Sequence, residues 1–170
     1  IVVVSNFTQT LDVITSLCKD CGYPYVRLDG SISLKKRKKM VDEFCDPAAN
    51  SFVFLLSSKA GGCGLNLIGG NRLILFDPDW NPAVDKQAAA RVWREGQKKE
   101  CFVYRFVCTG TVEEKVYQRQ LSKEKLQGVV NGNDMTTDIG SGDLEDLFCP
   151  VEDKPQADEV LFSAACYLQD

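Results

Sequence analysis

Two arginines and a glutamine recur at helical spacing in the middle of the chain. In the run Gln87-Ala-Ala-Ala-Arg-Val-Trp-Arg-Glu-Gly-Gln97, Gln87, Arg91 and Arg94 stand at positions i, i+4 and i+7. They are expected on one face of a helix that ends at Gly96. Two guanidinium groups one turn apart form a fork of donors that suits phosphate oxygens. The alternative is a solvated helix face with two ordinary surface arginines, and this run alone does not decide between them.

A glycine-rich segment, Ala60-Gly-Gly-Cys-Gly64, follows an apolar run. Backbone N–H groups in such a loop can approach phosphate closely, although turn glycines with a purely structural role explain it as well. It is not a P-loop, because GxxxxGK[ST] occurs nowhere in the chain. The segment therefore indicates a phosphate site only if other residues converge on it.

Five apolar runs alternate with stretches of helical periodicity. The predicted strands are 1–4, 25–28, 52–56, 72–76 and 101–107, and the last predicted helix covers 112–127. This alternation predicts an α/β fold with a parallel sheet covered by helices on both faces. Ligands bind outside the carboxyl ends of such strands, so the loops at Ser5, Asp29, Ser57 and Asp77 are expected to gather at one edge and form a site.

The same periodicity predicts which side chains face the core and which residues start helices. The segment Ser5-Asn-Phe-Thr8 contains residues that suit a helix start, Ser33 and Thr111 suit helix N-caps, and Pro82 suits a first turn. The predicted inward residues are Leu11, Ile14, Leu17, Cys18, Leu34, Val41, Phe44, Val92, Trp93, Val112, Val116 and Leu121.

Charge divides the chain into a basic body and an acidic tail. Residues 1–127 carry 19 Lys and Arg against 14 Asp and Glu, a net charge of +5, whereas residues 128–170 carry one Lys against 10 acidic residues, a net charge of −9. The body is expected to be one domain that can meet a polyanion, and 128–170 an irregular acidic appendage outside the core. The chain begins at Ile1 in an apolar run, so we expect a piece of a longer protein. The sequence contains no run of about 18 apolar residues, so no membrane span is predicted.

The eight cysteines are scattered, several of them within apolar runs. This distribution favours buried free thiols over a disulfide scaffold. Cys18 and Cys21 have metal-ligand spacing, but no second such pair and no histidine exist to complete a zinc site. No metal site is predicted.

Five segments occur in an order that identifies a family. They are Ser5-Asn-Phe-Thr-Gln-Thr-Leu-Asp, Arg27-Leu-Asp-Gly30, Ser57-Ser-Lys-Ala-Gly-Gly-Cys-Gly-Leu-Asn-Leu, Asp77-Pro-Asp-Trp-Asn-Pro and Gln87 to Gln97. The series closely resembles the C-terminal RecA-like lobe of the Swi/Snf-type DNA-dependent ATPases of helicase superfamily two, over residues 1–127. The stretch 57–70 and the residues around Arg119 look most like the Rad-fifty-four group of recombination translocases.

The resemblance implies two sets of site residues. Arg91 and Arg94 match arginine fingers that reach ATP, bound with Mg²⁺ mainly on the other lobe; Gly64, Asn66 and Gln87 match further ATP-contacting positions. Positions that grip the DNA backbone are matched by Ser5, Asn6, Arg27, Ser57, Ser58 and Lys59. Two simpler interpretations stand beside these: Arg27 pairs with Asp29, and the run 35–39 is a solvated helix face. The alternative for 35–39 is a run that follows DNA phosphates outside the core site.

The resemblance also implies a function for the longer protein. It predicts the second lobe of a nuclear, ATP-dependent double-stranded DNA translocase that acts in repair by homologous recombination. Its partners would be duplex DNA, the N-terminal RecA-like lobe, and a recombinase filament or nucleosomes. The Walker lysine motif and the acidic Mg²⁺ motif of the first lobe are absent from this sequence, so this chain alone is expected to be inactive. The alternatives are a chromatin-remodelling ATPase lobe and a non-catalytic nucleic-acid-binding module that retains the fold.

Overall fold

In the computed structural model, which describes residues 1–60, 64–130 and 160–167, a six-stranded sheet organises the chain. The strands are β1 (Val2–Ser5), β2 (Tyr25–Leu28), β3 (Val53–Ser57), β4 (Arg72–Leu75), β5 (Cys101–Cys108) and β6 (Val160–Tyr167). The helices are α1 (Thr8–Asp20), α2 (Leu34–Cys45), α3 (Pro82–Ala89) and α4 (Val112–Val130). The strand order is β2-β3-β1-β4-β5-β6.

The first five strands are parallel, which confirms the predicted α/β architecture. β1 lies at the centre and β3 beside it, and every residue of both strands is buried, as expected for a sheet covered on both faces. The register pairs Ser5 with Ser57 and Val4 with Leu75. The carboxyl ends of the three central strands are therefore level and open onto one edge.

The described part of the C-terminal region adds one strand to the sheet. α4 continues to Val130, and residues 160–167 form an antiparallel edge strand on β5, with Val160 opposite Cys108. The acidic composition of 128–170 as a whole hid the apolar run Val160-Leu-Phe, which has the composition of a strand. The boundary at residue 127 between the lobe and the C-terminal appendage stays a prediction.

The helix before the paired arginines is shorter than predicted. α3 ends at Ala89, and Arg91 and Arg94 lie in the turns that follow. The Arg91 N–H donates to the carbonyl of Ala88 at 3.1 Å, three residues back. The Arg91 carbonyl accepts the N–H of Leu67 at 2.9 Å instead of a helical N–H. A tertiary hydrogen bond that helical periodicity does not reveal therefore accompanies the end of the helix.

Side-chain burial follows the predicted stripes in part. Leu11, Cys18, Phe44, Val92 and Val116 are buried as predicted. Contrary to the prediction, five residues are exposed: Leu17, Leu34, Trp93, Val112 and Leu121.

The helix starts show which capping predictions hold. Thr111 accepts the N–H of Glu113 at 3.2 Å, as predicted, and Pro82 opens α3. Ser33 precedes α2 without a side-chain cap bond, and Ser5 does not cap α1 because its hydroxyl bonds elsewhere. No helix in the described part of the chain is long and apolar enough to cross a bilayer.

Gly69 marks a close backbone contact between α2 and the loop that precedes β4. A Cβ there would lie 2.6 Å from the carbonyl oxygen of Phe44 and 2.8 Å from the Cα of Cys45. Gly69→Ala is expected to lower the free energy of unfolding by about 1–3 kcal/mol, because backbone atoms cannot move aside as a side chain can. Thermal unfolding measures this, with Gly30→Ala as the control, since a Cβ at Gly30 meets nothing within 4 Å. Equal stability of the two variants would contradict the contact.

Candidate functional site

Three strand ends are joined by hydrogen bonds at the carboxyl edge of the sheet. The Ser5 hydroxyl donates to the Asp77 carboxylate, and the Asn6 N–H donates to Asp77 Oδ1 at 2.6 Å. The Ser58 hydroxyl donates to Asn6 Oδ1 at 2.5 Å, and its N–H donates to the Ser5 carbonyl at 2.9 Å. The predicted convergence of the loops that follow β1, β3 and β4 is therefore confirmed.

Side-chain exposure divides the residues of this network into buried ones that support it and more exposed ones that can contact a ligand. Ser5 and Ser57 are 1% and 4% exposed, so their side chains face the interior. Asn6 and Ser58 are half-buried, and Lys59 is exposed. Burial raises the pKa of Asp77 more than the hydrogen bonds from Ser5 and Asn6 lower it. The outward groups at this edge are thus an amide, a hydroxyl and an ammonium.

Arg27 lies on the outer strand β2 and is held by two carboxylates, those of Asp12 and Asp29. Its Nη1 lies 2.5 Å from Asp12 Oδ1, and its Nε lies 3.3 Å from Asp29 Oδ2. The hydrogen bond that Arg27 donates to Asp12 is the main reason that the pKa of Arg27 is raised. The simpler interpretation, a pair with Asp29, is thus realised, and any phosphate contact by Arg27 has to compete with both carboxylates.

The paired arginines converge on Gly64. Arg94 Nη1 donates to the carbonyls of Gly64 and Leu65 at 3.3 and 3.4 Å. Arg91 Nη1 lies 3.9 Å from the point where a Cβ on Gly64 would stand, and Gly64 has φ +65°. Three of the predicted ATP-contacting residues thus meet, although they come from segments about 30 residues apart. Residues 61–63, the middle of the glycine-rich segment, lie outside the described part of the chain.

Gln87 and Asn66 occupy different surroundings. Gln87 is exposed and, with Arg91, Val4 and Ser58, lines a small cavity of about 30 Å³ at the ends of β1 and β3. Asn66 is also exposed, and its carbonyl accepts a hydrogen bond from the Cys45 thiol at 3.5 Å, near the end of α2. Gln87 therefore belongs to the arginine cluster, whereas Asn66 lies beside it.

Gln97 is a positioning residue that the sequence did not single out. Its buried amide nitrogen donates to the carbonyls of Gly70, Val92 and Ile68 at 2.9, 3.2 and 3.3 Å. Its amide oxygen accepts the N–H of Lys99 at 3.1 Å. The side chain thereby ties the arginine segment to the loop before β4. The sequence signal that could have indicated this role is the position of Gln97 at the end of the run Gln87 to Gln97.

A second buried polar group joins α3, α4 and β5. Asp85 and Gln120 are 3% and 2% exposed, and Gln120 Nε2 donates to Asp85 Oδ2 at 2.9 Å and to the carbonyl of Asp79. Arg105 Nε lies 3.9 Å from Asp85 Oδ2, and the guanidinium lies 6.0 Å from the ring centre of Tyr117. Burial raises the pKa of Asp85, opposed by the hydrogen bond from Gln120 and the charge of Arg105. Sequence patterns do not reveal this group, because its members come from three separate elements.

No group of three or more His, Cys, Asp or Glu residues that could hold a metal ion occurs among the described residues. The cysteines described there, which include the buried Cys18 and Cys101, are free thiols. Burial raises the pKa of both thiols. The raised pKa values favour the thiol over the thiolate, so their part in this structure is packing.

Comparisons with known proteins agree with this geometry. Residues 1–96 match the family model described as "Helicase conserved C-terminal domain". The chain is 64% identical over 153 residues to "DNA repair and recombination protein RAD54" of Oryza sativa subsp. japonica, covering 87% of this chain and 16% of the relative. It is 57% identical over 150 residues to "DNA repair and recombination protein RAD54-like" of Homo sapiens, covering 87% and 20%.

A solved structure is similar as well. The "C-terminal part of Fun30 ATPase domain" superposes with a TM-score of 0.67 at 38% identity, covering 70% of this chain and 38% of that one. The chain spans a fifth or less of the length of the two curated relatives. Together, the family match over residues 1–96 and the parallel sheet with its carboxyl-edge site show that the chain belongs to the helicase conserved C-terminal domain family, as a RecA-like lobe of the Swi/Snf type most like those of the RAD54 proteins.

Proposed function

We propose that this chain is the second motor lobe of a nuclear, ATP-dependent translocase on double-stranded DNA, which acts in repair by homologous recombination. The observation that carries the proposal is that two polar clusters share one sheet edge. One cluster is Arg91 and Arg94 at Gly64, and the other is Asn6 and Ser58 at Asp77. The first suits a nucleotide phosphate and the second a nucleic-acid backbone.

The arginine cluster is proposed to complete an ATP site between two lobes. ATP with Mg²⁺ would be held mainly by the N-terminal RecA-like lobe, whose Walker lysine is not in this sequence. Arg94 donates long hydrogen bonds to the neutral carbonyls of Gly64 and Leu65, at 3.3 and 3.4 Å. A γ-phosphate is a stronger partner for a guanidinium, because the bond is then assisted by both charges. Closure of the lobes would thus move Arg91 and Arg94 onto the charge that develops in phosphoryl transfer.

The second cluster is proposed to hold the DNA backbone without reading its sequence. Lys59 is exposed at the end of β3, and Asn6 and Ser58 stand beside it. Ammonium, amide and hydroxyl groups bind phosphate and sugar oxygens of any base sequence. Ser5 and Ser57 support this surface from the interior, where they are buried.

Asp77 offers a physical link between the two clusters. It accepts hydrogen bonds from Ser5 and Asn6, and it begins the segment that leads into α3. The arginine turn follows directly after α3. A shift of Asn6 on a DNA backbone therefore has a path to Arg91 through the hydrogen bond to Asp77 and along α3, which supports alternate gripping of DNA coupled to hydrolysis.

The test is ATP hydrolysis by the full-length protein with and without naked duplex DNA. We expect duplex DNA to raise kcat, and we expect the isolated chain to hydrolyse ATP negligibly, because half of the site is missing. Nucleosomes serve as the comparison. Much stronger stimulation by nucleosomes than by naked duplex would favour a chromatin-remodelling lobe, and no hydrolysis under any condition would favour a non-catalytic binding module.

A further inference from the structure

The first half of α2 carries a cluster of lysines that the site above does not use. Lys35, Lys36, Lys38 and Lys39, here termed the basic face, are all exposed. Among the residues that the structure describes, none of the four forms an ion pair. The complete chain has a net charge of −4, so a run of cations without acidic partners is a local departure from its composition.

The helix directs this face away from the sheet. At about 100° per residue, the four lysines cover an arc of about 160°. Phe44 lies near the centre of the opposite side and is buried in the core beside β1 and β3. The lysines thus have no part in packing, and their charges are available to a partner.

The start of α2 is fixed beside the strand-end cluster. Arg37, on the inner side of the helix, donates to the carbonyls of Ile32 and Ala60 at 2.8 and 3.0 Å. Ala60 directly follows Lys59, the exposed cation at the end of β3. The first turn of the basic face is therefore held against the same edge of the sheet as Lys59, Asn6 and Ser58.

We propose that the basic face is a second contact surface for the phosphate backbone of duplex DNA, continuous with Lys59. This inference rests on the proposed function and extends its footprint beyond the strand ends. Residues 35–39 rise about 6 Å along the helix, which matches roughly two phosphates of one strand. Lysine is a compact, strongly hydrated point charge, so this surface strengthens binding without selecting a base sequence.

The test compares two triple variants of the full-length protein that remove the same charge. Lys35→Gln, Lys38→Gln and Lys39→Gln together remove three of the four charges of the basic face. Lys19→Gln, Lys98→Gln and Lys99→Gln together are the control, because these exposed lysines lie at the opposite, amino-terminal side of the sheet. Glutamine and lysine have similar helix propensities, so both variants are expected to fold. Their melting temperatures provide the check on folding.

The measured quantity is the slope of log K against log salt for binding to a duplex. We expect the basic-face variant to reduce the magnitude of this slope by about 0.9 for each lost phosphate contact, or about 1.8 for the two phosphates that the face spans. The control variant is expected to bind with the wild-type slope. Equal reductions in the two variants would overturn the inference, because they would reflect overall charge alone.

A third variant, Lys59→Gln, separates this inference from the proposed function. If the basic-face variant keeps the wild-type slope while Lys59→Gln lowers it by about 0.9, the inference is overturned and the strand-end site stands. If neither variant changes the slope, both the basic face and the strand-end site are wrongly assigned to DNA. A reduction in both variants supports one continuous surface.

Discussion

Replacement of Arg94 by alanine in the full-length protein is expected to lower kcat for DNA-stimulated ATP hydrolysis by at least about 10²-fold. Arginine fingers supply about 10³–10⁵ in rate by stabilising charge on the transferred phosphoryl group. Arg94 is exposed, and its hydrogen bonds to the carbonyls of Gly64 and Leu65 are long, at 3.3 and 3.4 Å. The main effect of its loss is therefore expected in catalysis.

The measurement is steady-state hydrolysis with saturating duplex DNA, together with ATP binding. Arg72→Ala is the matched control, because Arg72 is an exposed arginine at the opposite end of β4, 5.2 Å from the ring centre of Phe102. It is expected to keep the wild-type kcat. Arg94→Lys keeps the charge but loses the planar fork, so partial activity is expected. Normal hydrolysis by Arg94→Ala would show that Arg94 is not a finger.

Replacement of Asp85 by alanine is expected to lower the stability of the α3–α4 contact by about 3 kcal/mol. Removing one partner of a buried ion pair costs about 3–5 kcal/mol, and the lower end applies because Arg105 is 17% exposed and 3.9 Å away. The change also removes the carboxylate that accepts from Gln120 at 2.9 Å. α4 would then be held less firmly against the segment that leads to the arginines.

Hydrogen exchange of amides in α3 and α4 of the full-length protein measures this effect locally, which avoids assuming that a large protein unfolds in two states. Asp42→Ala is the control, because Asp42 is exposed on α2, and a change within about 0.5 kcal/mol is expected. A double-mutant cycle with Gln120→Ala tests the contact itself. Additive effects of the two changes would contradict a direct interaction.

The pH dependence of the same exchange tests the charge state of Asp85. Burial raises its pKa above the ordinary value of 3.8. Its contribution to stability is therefore complete below pH 3.8 and is lost as the pH rises through the folded-state pKa. Asp85→Asn lacks this titration, so its stability relative to the wild type is expected to improve as the pH rises through that window. A relative stability that falls instead would show that the pKa is lowered in the folded state.

The parallel sheet and the family follow directly from the sequence. Val2 to Val4 and Val53 to Leu56 are continuous apolar runs without polar alternation, and such runs indicate strands buried on both faces. The connections between them have helical periodicity, so the carboxyl ends had to open onto one edge. The ordered motifs then indicated the type of lobe, because a site at strand ends is built from the residues that immediately follow each strand.

Only the tertiary structure shows which buried residues support the carboxyl edge of the sheet. Ser5 looked like a ligand-binding residue, but its hydroxyl supports Asp77, 72 residues further along the chain. The end of α3, the role of Gln97 and the pair of Asp85 with Gln120 likewise depend on partners that periodicity cannot locate. Helical and strand patterns report only which face of an element is apolar. A hydrogen bond between distant segments, which here determines where the arginines lie, exists only after the chain has folded.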